Sequence, residues 1–142
     1  TFKLVSDTSD WKSYTNEEYG YSFMYPSDMQ VQDYSSYNSE HSGLNIVDDK
    51  IVPYPYGNLP LYIRITDNTV AEVKGVVEAK EDHLNSWESA HVADAAAEAA
   101  RVNYGNDVDQ SYTYYYVLPY REFTMLIETS SPNYILPTVT FL

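Results

Sequence analysis

Between residues 19 and 25 a bulky ring falls at every second position. Tyr19, Tyr21, Phe23 and Tyr25 lie on one side of an extended chain, and Gly20, Ser22 and Met24 on the other. A period of two marks a half-buried β-strand and conflicts with a helix, whose faces repeat every ~3.6 residues. The same alternation returns where Leu61, Ile63 and Ile65 oppose Tyr62, Arg64 and Thr66, and again at Phe123, Met125 and Ile127. The chain therefore builds its core on a sheet. Pro26-Ser27-Asp28 ends the first strand, because Pro lacks a ladder donor and Ser and Asp favour turns. Residues 11–15 read as a short strand before it, 16–18 as a turn, and 29–34 as the second strand of the hairpin.

Further elements follow from punctuation. Residues 35–43 are polar and read as a loop, and 44–47 as a short strand. Three Pro and one Gly in residues 53–60 demand an extended or turning loop. Thr69 and Glu72 have capping-box spacing, and Val70, Val73, Val76, Val77 and Leu84 follow near helical spacing. The Ala-rich run over 87–101 is a second helix by propensity, or a continuation of the first broken near Asn85. Residues 112–118 and 121–129 pair as strands around Pro119-Tyr120. Ser131-Pro132 opens a short helical turn pinned by Ile135 and Leu136, and residues 138–142 form a final short strand or apolar tail. Strands, then helices, then strands make an α+β architecture: an antiparallel sheet with helices packed on one face. Residues 1–10 are polar and read as a flexible N-terminal arm, leaving 11–142 as one domain.

Composition narrows the function. The 142 residues suffice for a core without metal or disulfide, and there is no Cys. Thiol catalysis, Cys-ligated zinc and a disulfide framework are excluded. Eight Lys and Arg against 21 Asp and Glu leave a net charge of −13. That field repels phosphate backbones and anionic lipid, so nucleic acid is not an expected partner. No apolar run approaches the ~20 residues of a membrane-spanning helix. The first residue is Thr1 rather than Met, which is compatible with removal of a leader.

Residues 11–28, with Trp11, Tyr14, Tyr19-Gly20-Tyr21-Ser22-Phe23, Tyr25-Pro26 and Ser27-Asp28, resemble the opening of PsbP-like domains of secreted bacterial proteins and lipoproteins. Residues 123–141 are similar to the same family's strand, short helix and closing strand. The resemblance implies a sheet–helix sandwich and an extracytoplasmic address. It also implies a binding or assembly role, since members have no agreed catalytic site. It assigns no functional residue.

Candidate sites weigh as follows. The 16 Tyr are the outstanding compositional feature. Tyr54, Tyr56, Tyr112, Tyr114, Tyr116 and Tyr120 form the candidate contact surface, with Tyr115 turned to the opposite face. Such rings stack on sugars or pack against proteins, and they equally stabilise a sheet by cross-strand pairing. Asn103, Asn106, Asp107 and Asp109 around Gly105 read first as a polar turn and second as a calcium loop, with Asp48-Asp49 a weaker candidate. His83, Glu88 and His91 would share a helix surface and are read as solvated rather than as a zinc site. No Gly-x-Ser-x-Gly elbow or glycine-rich phosphate loop appears. The expected function is a non-catalytic binding or assembly module for a protein or polysaccharide partner. The alternatives are a structural subunit of an extracellular filament or surface layer, in which the two chain ends pair with neighbouring subunits, and, third, a hydrolase.

Overall fold

A computed structural model describes residues 10–34, 43–53, 60–105 and 111–142. The order is β1 (Trp11–Asn16), β2 (Tyr21–Pro26), β3 (Gln32–Asp33), β4 (Ile46–Val52), β5 (Leu61–Thr66), α1 (Val70–Lys80), β6 (Glu88–Val92), β7 (Ala95–Asn103), β8 (Tyr112–Tyr120), β9 (Phe123–Thr129), a 3-10 turn (Leu136–Thr138) and β10 (Thr140–Phe141). Seven strands form an antiparallel sheet in the order β3-β4-β5-β9-β8-β7-β6, and β1-β2-β10 form a second, smaller sheet. The class is α+β, as the alternation requires.

The large sheet is covered on both sides. One face carries Ile63, Ile65, Leu118, Met125 and Ile127, which pack with Tyr21 and Phe23 of β2 and with Ile135 of the closing turn. The opposite face presents Tyr115, Val117 and Leu126 to Val73 and Val77 of α1. Leu61, Ile63 and Ile65 thus share a face as expected. Their neighbours Tyr62, Arg64 and Thr66 are buried as well, because α1 roofs the other side.

Local rules account for the ends of α1. The Thr69 hydroxyl accepts from the Glu72 amide at 3.1 Å, and the Glu72 carboxylate accepts from the Thr69 amide at 2.8 Å. This reciprocal box satisfies two of the otherwise orphaned donors. The helix stops at Lys80, short of Leu84.

Three sequence expectations need correction. Residues 87–101 do not form a helix. They fold as the β6–β7 hairpin around the two-residue turn Ala93-Asp94, with Ala93 at φ 53°. The partner of β2 is β1, paired from Trp11↔Pro26 to Asn16↔Tyr21, whereas β3 leaves the hairpin to join β4 at the margin of the large sheet. The turn between β8 and β9 is Arg121-Glu122, not Pro119-Tyr120. Pro119 is tolerated within β8 because its missing donor falls beyond the last β7 pair, Glu98↔Val117.

The apolar C-terminal end is also used within the chain. β10 pairs with β2, Val139 is buried, and the Leu142 amide donates to the Gly20 carbonyl at 2.8 Å. Gly20 sits at φ 77°, a region that disfavours side chains, and a Cβ there would collide with the Arg121 guanidinium. The Tyr120 hydroxyl donates to the Gly20 carbonyl at 2.6 Å, closing this corner.

Candidate functional site

The second layer does not reach the whole of the large sheet. It covers Val92, Ala97, Tyr120 and one side of Tyr116, and leaves the far end of β6, β7 and β8 open. Strand register sets what lines that end. Ala99 opposes both Glu88 and Tyr116, and Arg101 opposes Tyr114, so these side chains share one face. Tall rings on β8 beside methyl groups on β7 and β6 produce a step, and the result is an open groove of about 350 Å³. Ala90 and Ala99 line its low side, Tyr114 and Tyr116 its high side, and Arg101 and Glu88 its charged margin.

The rim is held in place. The Arg101 guanidinium lies 4.2 Å from the centre of the Tyr112 ring, and Tyr112 and Tyr114 rings are 6.1 Å apart. A hydrogen bond with Tyr114 keeps the guanidinium above its ordinary range, so its charge is fixed at any working pH. Asn85 accepts from the Arg101 amide through Oδ1 at 2.7 Å and donates its own amide to the Arg101 carbonyl at 3.0 Å, which fixes the entry to β6. Burial, with Tyr114 as a second cause, raises the Tyr116 phenol above its usual value. A second hollow of about 390 Å³ lies beyond Tyr116, bounded by His91, Val92, Pro132 and Leu136.

Of the predicted contact tyrosines, the structure brings Tyr112, Tyr114 and Tyr116 together as half-buried rings on one face, with Tyr115 opposite. Tyr120 is a correction. Its ring is 6 % exposed, stacks 4.9 Å from Phe141, and its hydroxyl is used by the main chain of Tyr19 and Gly20. Tyr54 and Tyr56 lie outside the described residues. Arg101, Ala90 and Ala99 went unnoticed in the sequence, and Glu88 was weighed only with His83 and His91, because a helix was assigned to all four.

The metal candidates fare differently. Glu88 and His91 stand on a strand three residues apart, hence on opposite faces, which removes the helical basis for a site with His83. The Asn103 side-chain oxygen Oδ1 accepts from the Gly105 and Ser111 amides at 2.9 and 3.0 Å, as a polar turn does, while Asn106, Asp107 and Asp109 lie outside the described residues. Asp48 and Asp49 face opposite ways. Asp48 accepts from Tyr21 at 2.8 Å and Asn16 at 3.3 Å and is paired with Lys50. Asp49 accepts from Tyr62 at 3.0 Å and Arg64 at 3.3 Å. Among the described residues no group of three or more His, Asp or Glu is placed to hold a metal ion.

Acids do converge beneath α1. Glu81, at the helix C-cap, accepts hydrogen bonds from the hydroxyls of Tyr104 and Tyr115. Burial raises the Glu128 carboxyl despite Lys80 and Arg64 nearby, and burial together with Glu81 pushes Tyr104 up to about 12. The space left beside Glu128, Lys80 and Tyr115 is about 10 Å³, the room of a single water. This cluster fastens the helix to the sheet and has no room for a substrate.

No family model matches the chain, and no curated protein matches it in sequence. Among solved structures it is similar to the solution structure of cyanobacterial PsbP (CyanoP) from Synechocystis sp. PCC 6803. The TM-score is 0.59 at 11 % identity, over 100 % of this chain and 98 % of that one. Among the described residues no helix is long and apolar enough to cross a membrane. The hairpin residues noted in the sequence and the full-length superposition agree on one conclusion, that this chain has a PsbP-like fold.

Proposed function

We propose that the chain is an extracytoplasmic, non-catalytic binding module that takes a protein partner in the groove between β6 and β8. The observation that carries this reading is the shape and chemistry of the groove. Rigid phenol rings, one fixed guanidinium and a low alanine side supply large contact area at small entropic cost, as hot-spot surfaces do. The groove presents one carboxylate, Glu88, rather than the acidic pair that glycoside hydrolysis calls for, and the acids beneath α1 have other work. The resemblance to PsbP-like domains of secreted bacterial proteins supports an address outside the cytoplasm. In this reading residues 11–142 act as one domain carried on the arm 1–10.

Filling the groove is the test. Immobilised protein and its Ala99→Phe variant, matched for thermal midpoint, are challenged with an envelope extract and with a panel of soluble glycans. Loss of a discrete retained protein in the variant supports the reading. Identical retention by both forms, or retention of a glycan alone, overturns it.

A further inference from the structure

We infer that the partner binds as an added β-strand on the free edge of β6, as an extended cationic peptide whose large side chain enters the groove. The inference rests on the groove being the binding site and adds the mode and chemistry of the ligand. β6 ends the seven-strand order, so one of its edges has no neighbour among the described residues. The hairpin fixes which groups that edge offers. A two-residue turn makes Val92↔Ala95 a hydrogen-bonded pair, so Ala90↔Ala97 and Glu88↔Ala99 bond inward too. The amides and carbonyls of Ser89 and His91 then point away from β7. The Asn85–Arg101 main-chain bond continues this phase along β7.

Natural sheets guard such edges with Lys, Pro, bulges or shortness. The other margins comply: β3 has two residues, and β1 of the small sheet carries the exposed Lys12. The Glu88-Ser89-Ala90-His91-Val92 edge has five residues and no Lys, Pro or bulge; its one charged side chain, Glu88, repels anionic strands and admits cationic ones, and the edge borders the groove. In an antiparallel addition, the partner residue opposite Ala90 projects onto the groove face, where Ala90 and Ala99 leave room beside Tyr114 and Tyr116. The residue two positions on lies opposite Glu88. A chain of net charge −13 favours a cationic occupant and opposes a second copy of itself on this edge.

The experiment uses a pool of ten-residue peptides alternating Thr or Val with Lys, with one central Lys replaced by Tyr or Trp so that a Lys stands two positions from the ring, on its face. Binding is read by fluorescence anisotropy, and hydrogen exchange is read at the Ser89 and His91 amides. Pro at either position leaves the β6–β7 ladder whole, since those amides face outward. Expected are at least tenfold slower exchange at both amides with peptide bound, and at least tenfold weaker binding for Ser89→Pro, for His91→Pro and for the peptide N-methylated at alternate residues. Binding that survives Ser89→Pro and N-methylation but is lost in Ala99→Phe overturns strand addition and leaves the groove reading intact. Binding unaffected by all of these overturns both. Absence of peptide binding, or protection of the two amides by concentration-dependent dimerisation instead, overturns the peptide as occupant.

Discussion

The Glu81 clamp gives a perturbation whose size follows from the contacts. Glu81 caps the C-terminus of α1, where a negative charge faces the negative end of the helix dipole and costs about 0.3–1 kcal/mol. Two phenol donors offset that cost. They are not equivalent, since Tyr104 is 59 % exposed and Tyr115 is 1 % exposed. In Glu81→Ala the Tyr104 hydroxyl turns to water at little cost, whereas the Tyr115 hydroxyl is left buried without its acceptor, at about 1–3 kcal/mol. Subtracting the relieved dipole contribution leaves a net loss between about 0 and 2.7 kcal/mol, centred at ~1.4 kcal/mol. Tyr115→Phe removes the same bond from the other side and leaves Glu81 its bond to Tyr104. With Tyr115→Phe already in place, Glu81→Ala should therefore cost little, with a coupling of about 1 kcal/mol or more. Urea unfolding of the four proteins, followed by far-ultraviolet circular dichroism, measures the cycle, with slopes unchanged if only the native state is affected. Equal cost of Glu81→Ala with and without Tyr115→Phe would refute the clamp. A gain in stability on Glu81→Ala would show that the dipole contribution dominates.

Two further outcomes follow from other parts of the molecule. Gly20→Ala forces a side chain into the left-handed region and onto the Arg121 guanidinium, with an expected loss of about 1–3 kcal/mol by chemical unfolding. Adding Arg121→Ala should recover the clash but not the backbone part, and a full recovery would contradict the conformational argument. Glu128 is raised by burial, so the folded state holds its proton more tightly than the unfolded state does. Stability from this group is therefore present below the ordinary carboxyl range and declines as pH rises through the higher folded value. Glu128→Gln should flatten that decline and raise the thermal midpoint at neutral pH. A steeper decline in the variant would mean that the pairing with Lys80 and Arg64 outweighs burial.

The strands with alternating large residues were legible because each face writes its own period. Tyr21 and Phe23, Ile63 and Ile65, and Met125 and Ile127 went to the core face as the pattern required. The capping box placed the start of α1 for the same local reason. The Ala-rich run misled because propensity is a weak influence that pairing overrides. One signal was available. Between residues 87 and 102 the apolar side chains larger than Ala are Trp87, Val92 and Val102, whose spacings of five and ten match no helical stripe. A helix there would have had nothing to anchor it, whereas β7 places Ala97 and Ala100 on opposite faces, each under a different layer.

The groove was half legible for a deeper reason. Parity along β8 separates Tyr112, Tyr114 and Tyr116 from Tyr115, but parity says nothing about what lies over either face. Tyr115 is closed off by α1, and Tyr120 by Gly20 and Phe141, contacts that join distant parts of the chain. What remains open is the stretch of sheet that outruns its second layer. Its depth depends on register, because a hollow forms only where small residues on one strand stand beside rings on the next. With Ala99 opposite Tyr116 and Arg101 opposite Tyr114, methyl and guanidinium groups reach the ring-bearing face. A slip of one residue would bring Ala100 and Val102 there, turn Arg101 and its charge toward α1, and expose apolar surface that the helix now covers. The buried Val102 beneath α1 therefore fixes the register that shapes the groove on the opposite face, and core and site are specified by the same pairing.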